Sequence, residues 1–388
     1  MPRLYHTKSK TGCKRCRARR VKCDESRPTC GSCRRHKVQC TYDRADSTDN
    51  PSQLHDESKN RTHSPSMAEG RERRHRELRL MHTFTVRTCR TLPGTHLPEL
   101  LETWAVEVPR LALDYEPLLS AIMALTSHHL AREARTRDEA DGFLTLRSLY
   151  LESTLHKHRR ALADVTRDKA DAVCFTTVIL TIDTMANLGE RSLQPYEPPL
   201  QWLHVSRGVG DVCRLTLGLI EDDADAKIRP VVDTMMPFVR DFQLASGVDP
   251  ALAYLLEFED GEAEADEDTG AYEATARLLS WILAGRDSGE DVKMYGRRLT
   301  AFPVLVSGRF ISLLEQQRPR ALVFLAHFFG LAAHASEFWW LGATPCREIW
   351  AIRAVLGPEW QGLVAGLTEA APGKAEPGQQ QQMDVDRE

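Results

Sequence analysis

Apolar residues recur along most of the chain at the three- and four-residue steps of helices, and no run alternates convincingly as a strand would. Leu118, Ile122, Leu125 and His129 fall on one face of a segment that Pro117 opens, so a helix is predicted over 117–133. Leu146, Leu149, Tyr150 and Leu162 repeat the pattern over 142–165. The largely apolar segment 171–188 is closed by Gly189, as a C-terminal glycine should close it. Further helices are expected over 252–258, 274–284, 310–315 and 321–341, while Pro195, Pro198 and Pro199 mark a loop and Gly208-Val209-Gly210 reads as a helix break. A large all-α domain from 71 to 370 follows.

Polar stretches delimit the rest. Residues 1–12 read as a disordered basic arm, 43–70 as a disordered linker too poor in apolar side chains to offset ordering, and 371–388 as a disordered, low-complexity tail. The arm has no apolar stretch of the kind a secretory signal needs. Over 71–92 the best heptad register is Leu78, Met81, Thr85, Thr88 and Leu92, with two threonines in the seam, so no long zipper is expected and the oligomeric state stays open. The apolar run 321–341 has the length of a membrane span, but His327, His334, Ser336 and Glu337 argue for a soluble core helix and no membrane span.

The chain of 388 residues carries 42% hydrophobic residues and a formal charge of -4, which hides an asymmetry. Residues 1–44 hold 14 Lys and Arg against 3 Asp and Glu, a net +11, and the remainder carries -15. Charge that dense on so short a segment is an electrostatic footprint for a polyanion.

Six of the ten cysteines fall in the same segment, as C-x2-C-x6-C-x6-C-x2-C-x6-C: Cys13, Cys16, Cys23, Cys30, Cys33 and Cys40. Thiolate is a soft ligand suited to Zn²⁺, and in a reducing compartment zinc thiolates are favoured over disulfides. Two tetrahedral zinc ions need eight sulfur positions, so with six cysteines two must bridge. The pattern therefore predicts a binuclear cluster holding two Zn²⁺, not two independent fingers. The identical spacing of the halves 13–23 and 30–40 lets each wrap one metal. Cys89, Cys174, Cys213 and Cys346 are scattered and read as buried structural thiols.

The segment GCKRCRARRVKCDESRPTCGSCRRHKVQC resembles the fungal Zn(II)2Cys6 zinc-cluster transcription factors in its cysteine spacing, its basic run and the position of Pro28. The resemblance implies a DNA-binding module over 13–42, with Cys13 and Cys30 as bridging ligands, Cys16 and Cys23 completing one zinc and Cys33 and Cys40 the other. It further implies that Arg19 and Arg20, three and four residues after the second cysteine, reach a CGG-type triplet in double-stranded DNA. Lys22 and Arg17 would contact phosphates, and Arg34 and Arg35 would add backbone contacts from the second half. Each C-x2-C is expected to open a helix about two turns long, too short to fold without metal, and the first carries Lys14, Arg15, Arg17, Arg19, Arg20 and Lys22. An arginine facing guanine O6 and N7 discriminates bases by roughly 1–3 kcal/mol. The same basic run also resembles a nuclear import signal.

The blocks ELRLMHTFT, WAVEVPRLALDYEPLLSAIMALTSHHLAR, QWLHVSRGVG, ALVFLAHFFGLA and FWWLG resemble the regulatory domain of zinc-cluster proteins of the sterol-uptake-control type. That resemblance implies an all-helical regulatory domain that answers a small apolar effector and acts on sterol, lipid or secondary-metabolite genes. Phe328, Phe329, Trp339 and Trp340, with Phe338, form the densest aromatic cluster; such a stripe is first of all core, and an effector pocket is the alternative. The segment 254–268 mixes acidic groups with Tyr254, Leu255, Leu256 and Phe258, either an acidic activation segment or a surface loop leaving a helix.

No H-E-x-x-H, G-x-S-x-G or phosphate-loop motif is present, and His128-His129 and His156-x-His158 have no carboxylate or cysteine at useful metal-ligand spacing. The expectation is thus a nuclear, sequence-specific regulator of RNA polymerase II genes acting with the transcription machinery, and not an enzyme. The alternative is a ligand-sensing or protein-interaction regulator whose cluster mainly serves partner binding; only DNA binding should weaken steeply with salt.

Overall fold

A computed structural model describes residues 12–42, 67–244, 247–258 and 266–367. The expected arm and tail, and most of the expected linker, lie outside these. The chain divides between Ser64 and Pro65 into two compact units. No strand occurs among the described residues.

The first unit contains two five-residue helices, α1 (Lys14–Ala18) and α2 (Gly31–Arg35). Neither is long enough to be stable alone. Their apolar contacts are sulfur: Cys13, Cys16, Cys23, Cys30 and Cys33 are buried together, with Val38, Cys40 and Tyr42 packed around them.

The second unit is all-α. It opens with α3 (Met67–Val86), so the last four residues of the expected linker are already helical. Leu80 and Phe84 of α3 are buried whereas Leu78 is 63% exposed. The helix ends before Thr88 and Leu92, which are themselves buried, so the heptad register does not form one seam. Then come α4 (Pro98–Glu102), a π-helical turn, α5 (Val108–Asp114), and α6 (Glu116–Glu133) paired with α7 (Arg137–Leu162). The helix expected from Gly142 starts five residues earlier because Thr136 caps it, its hydroxyl accepting the Glu139 N–H.

α8 (Ala170–Asn187) packs against α6 and α9 (Leu200–Leu219). α9 runs straight through Gly208-Val209-Gly210, where a break was expected; Trp202, Leu203, Ser206 and Val209 anchor it, and this tertiary burial outweighs the glycines' low helix propensity. There follow α10 (Arg229–Leu244), α11 (Asp266–Asp287), α12 (Val292–Leu305), α13 (Gly308–Glu315), α14 (Pro319–Ala332), α15 (Thr344–Val355) and α16 (Gln361–Val364). The expected helix over 252–258 is a 3-10 segment, Pro250–Leu256.

α14 is the innermost element, buried from Arg320 to Ala332, and it stops nine residues short of the expected end. No described helix is long and apolar enough to cross a membrane. Phe328 stacks on Phe302 of α12 with centroids 4.1 Å apart, and Trp202 of α9 lies 5.6 Å from Phe328, so one aromatic layer ties three helices together. Each fully buried ring of this kind contributes about 1.5–3 kcal/mol.

Candidate metal centre and nucleic-acid interface

The two halves of the cysteine segment fold alike. Cys13 and Cys30 are the N-caps of α1 and α2, each thiol accepting the backbone N–H three residues on, from Cys16 and Cys33, at 3.4 Å. Each cap's own N–H points at the last sulfur of its half, Cys23 at 3.4 Å and Cys40 at 3.3 Å. The helix ends match too. Val21 N–H reaches Cys16 C=O and Arg20 N–H reaches Arg17 C=O; in the second half Val38 reaches Cys33 and Lys37 reaches Arg34. This is a Schellman closure, with Arg20 (φ 55°) and Lys37 (φ 50°) in the left-handed position that usually holds glycine.

These closures bring the sulfurs into two overlapping groups. Cys13, Cys16, Cys23 and Cys30 form one and Cys13, Cys30, Cys33 and Cys40 the other, all ligand atoms of a group lying within 4.8 Å of one another. The Cys13–Cys30, Cys13–Cys33 and Cys16–Cys30 sulfur distances are each 3.7 Å. Four sulfurs about 2.3 Å from a shared Zn²⁺ would sit about 3.8 Å apart along a tetrahedral edge. The spacing thus fits two zinc ions, with Cys13 and Cys30 common to both groups.

As free thiols these groups resist one another. Burial pushes Cys13, Cys16 and Cys33 up. Burial acts the same way on Cys23, but the N–H groups of Cys13 and Glu25 outweigh it and bring the thiol down to about 7. Two divalent cations remove the conflict by holding the sulfurs as thiolates.

Two residues outside the cysteine and basic pattern support the cluster. Asp24 accepts the Gly31 N–H with both carboxylate oxygens at 3.0 Å, joining the loop after Cys23 to the first residue of α2. The Gly31 N–H, the largest influence, holds its carboxyl below the ordinary value. Tyr42 donates its hydroxyl proton to Ser26 C=O at 3.2 Å and lies 3.7 Å from the Cys23 sulfur, with the Arg27 guanidinium over its ring. An acidic residue at the second C-x2-C's approach was the available signal for Asp24; Tyr42 had none.

All eight basic residues singled out, Lys14, Arg15, Arg17, Arg19, Arg20, Lys22, Arg34 and Arg35, are exposed. They are not, however, presented by one two-turn helix. α1 ends at Ala18, Arg19 is its C-cap, and Arg20 and Lys22 lie beyond it on the turn. The cause is the need to return the chain to the cluster at Cys23. Arg15 and Arg19, four apart, border a shallow cleft facing Ser32 of α2 and its C-cap His36.

In the helical unit the aromatic cluster is core. Phe328, Phe329 and Trp340 are 0% exposed, and Trp339 stacks on His129 with centroids 4.8 Å apart while its N–H donates to Thr91. None of the four lines the apolar cavity that lies between α8, α9, α10 and α12. Leu255 is buried and Tyr254 and Phe258 pack on the core, so the apolar residues of 254–268 do not form an exposed segment; 259–265 lie outside the described residues. The histidines take ordinary partners, His128 with Asp183, His129 with Thr88 and His158 with Thr177. Of the scattered cysteines, Cys89 and Cys174 are buried and Cys213 and Cys346 partly so.

Comparison with known proteins agrees with this geometry. The fungal Zn(2)-Cys(6) binuclear cluster domain matches residues 11–49. A Zn(2)-C6 fungal-type transcription factor of Aspergillus fumigatus is 38% identical over 330 residues, covering 84% of this chain and 86% of that protein. Another from Gibberella zeae is 26% identical over 430 residues, 92% of this chain and 84% of that protein. The Sterol uptake control protein 2 of Candida albicans is 58% identical over 263 residues, 66% of this chain but 36% of its own length. With overlapping four-sulfur groups, a basic face and similarity over more than four fifths of the chain in hand, the chain belongs to the fungal Zn(2)-C6 transcription factors, a non-enzymatic family that binds two zinc ions and regulates transcription by binding DNA.

Proposed function

We propose that this protein is a nuclear, sequence-specific regulator of RNA polymerase II genes that reads CGG-type triplets through Arg19 and Arg20. The observation that carries the reading is the position of these two arginines at the closing turn of α1, exposed and immediately beyond a helix whose cap is a cluster sulfur. A short helix end can enter a major groove, and arginine pairs two donors with guanine O6 and N7. Lys14, Arg15, Arg17, Lys22, Arg34 and Arg35 contact phosphates and set register. Cys13 and Cys30 bridge the zinc ions; Cys16 and Cys23 complete one site and Cys33 and Cys40 the other. Residues 13–42 form the DNA-binding domain and the helical unit the regulatory domain. It answers an apolar effector and works with the transcription machinery. Similarity to proteins named for sterol uptake control supports sterol or lipid genes as targets, with secondary-metabolite genes as the other class.

The test is the double variant Arg19→Ala/Arg20→Ala in the full chain. It should keep two zinc ions and lose discrimination between a CGG oligonucleotide and a scrambled one. Retained discrimination would overturn the assignment. Wild-type affinity should also fall steeply between low and moderate salt, as counterion release requires.

A further inference from the structure

The cavity between α8, α9, α10 and α12 has a volume of about 270 Å³ and an almost wholly apolar wall, with one charged exception. Arg297 of α12 lines it while only 3% exposed. One guanidinium nitrogen, Nη2, donates to Thr234 Oγ1 at 3.0 Å, and the group lies 5.2 Å from the Phe238 ring centre. The other, Nη1, is buried with no hydrogen-bond partner among the described residues. Burial alone acts on its ionisation, pulling it down to about 10, with no charged neighbour contributing. The wall's hydroxyls are otherwise engaged, Thr181 donating to Thr177 C=O and Thr300 to Arg297 C=O.

A buried guanidinium is costly when no counter-ion meets it, as none does among the described residues, and open donors make it more so. An anion in the cavity would remove both costs. With Nη2 already taken by Thr234, the two N–H groups of Nη1 suit the single charge and two oxygens of a monoanionic carboxylate better than a phosphate, which needs more donors. The apolar wall, with Met235 and Met236 as adaptable side chains, suits an aliphatic body. About 270 Å³ is just below the ~300–1,000 Å³ typical of ligand pockets and holds about nine groups of water size at roughly 30 Å³ each. That is room for most, though not all, of a ten-carbon chain.

We propose that this cavity binds an amphipathic monocarboxylate, its aliphatic chain along α8 and α9 and its carboxylate on Arg297. The proposal rests on the reading that the helical unit is effector-responsive and assigns that effector a chemical class.

The test uses the full-length, zinc-loaded chain with decanoate, decanol and ergosterol as probes, followed by thermal shift and calorimetry. Decanoate should raise the melting temperature and bind at least ten-fold more tightly than decanol, which has the same tail without the charge. Arg297→Met should erase that preference while leaving decanol binding in place, and Val209→Phe, which fills the cavity, should abolish both. Equal affinities for decanoate and decanol in the wild type, or no shift with decanoate, would overturn the proposal without any variant having to fold. So would a decanoate preference that survives Arg297→Met, or ergosterol outcompeting decanoate. Titrating the same samples with CGG DNA separates the two readings. Intact discrimination without a decanoate response removes this inference alone, whereas lost discrimination removes the DNA assignment and leaves this one standing.

Discussion

The Nε2–H of His158 donates to the Thr177 hydroxyl at 3.0 Å, and it must be the donor because Thr177 already gives its own proton to Val173 C=O at 2.9 Å. The second ring nitrogen, Nδ1, is buried without a partner among the described residues. Protonation would therefore place a charge on an atom with nothing to receive its hydrogen, and burial lowers the imidazole to about 4.

A group whose folded value is depressed is protonated more readily when unfolded, so its stability contribution is full above the ordinary histidine value of 6.5 and declines from there towards about 4. The loss should approach about 3 kcal/mol from this residue. His129 and His327, also lowered by burial, act in the same direction. All seven tryptophans lie beyond residue 100, so tryptophan fluorescence follows the helical unit alone. Melting temperature by this signal should fall between pH 6.5 and 4, and His158→Gln should flatten the slope. An unchanged slope would count against the assigned tautomer and burial.

Arg147 grips Asp183 through two bonds, 2.9 and 2.6 Å, and His128 adds a third at 2.9 Å. Burial pushes the Asp183 carboxyl up, and these two partners overcome it and hold it below its ordinary value. Removing Arg147 as Arg147→Ala leaves an uncompensated buried charge and should cost about 3–5 kcal/mol. Adding Asp183→Asn should recover part of that loss in urea melts, since the orphaned charge is then gone. A double variant less stable than the single would show that charge is not the cause.

Zinc content distinguishes shared from unshared sulfurs. Cys30 belongs to both four-sulfur groups and Cys40 to one. Cys30→Ala should leave fewer than one zinc per chain by atomic absorption, and Cys40→Ala about one. In both variants tryptophan fluorescence should match the wild type. Equal zinc content in the two would mean that the sulfurs are not shared as the geometry implies.

A Cβ at Gly31 would lie 2.7 Å from Asp24 Oδ2, so a side chain there has to push the carboxylate aside. Gly31→Ala should displace the carboxylate from the α2 amide and weaken zinc retention against a chelator by several-fold. Asp24→Ala should do the same through the lost acceptor. If either variant held zinc like the wild type, this bond would be incidental to the cluster.

The parts read correctly from sequence were those whose cause is local. Cysteine spacing fixes which sulfurs can converge, and the helices expected over 117–133 and 171–188 appear as 116–133 and 170–187. The helices 200–219, 229–244 and 292–305 were not marked. They carry Gly208, Gly210, Pro237 or Pro303 in their interiors, and only packing against other helices holds them. The aromatic pair Trp339 and Trp340 shows the same limit: the cluster announced burial, but nothing local distinguished a filled core from a cavity wall. The cavity is instead bounded by valines, leucines and methionines from distant segments, with the single arginine identified only once they were brought together.

The left-handed closure of α1 carries a further meaning. Glycine at position 20 would rest in that corner with less steric conflict than arginine. It would also take away a positive charge from the face turned outward. Folding of the zinc module and its affinity for a polyanion thus make opposite demands on one residue, and Arg20→Gly should yield a module that holds its fold more firmly and its DNA more loosely.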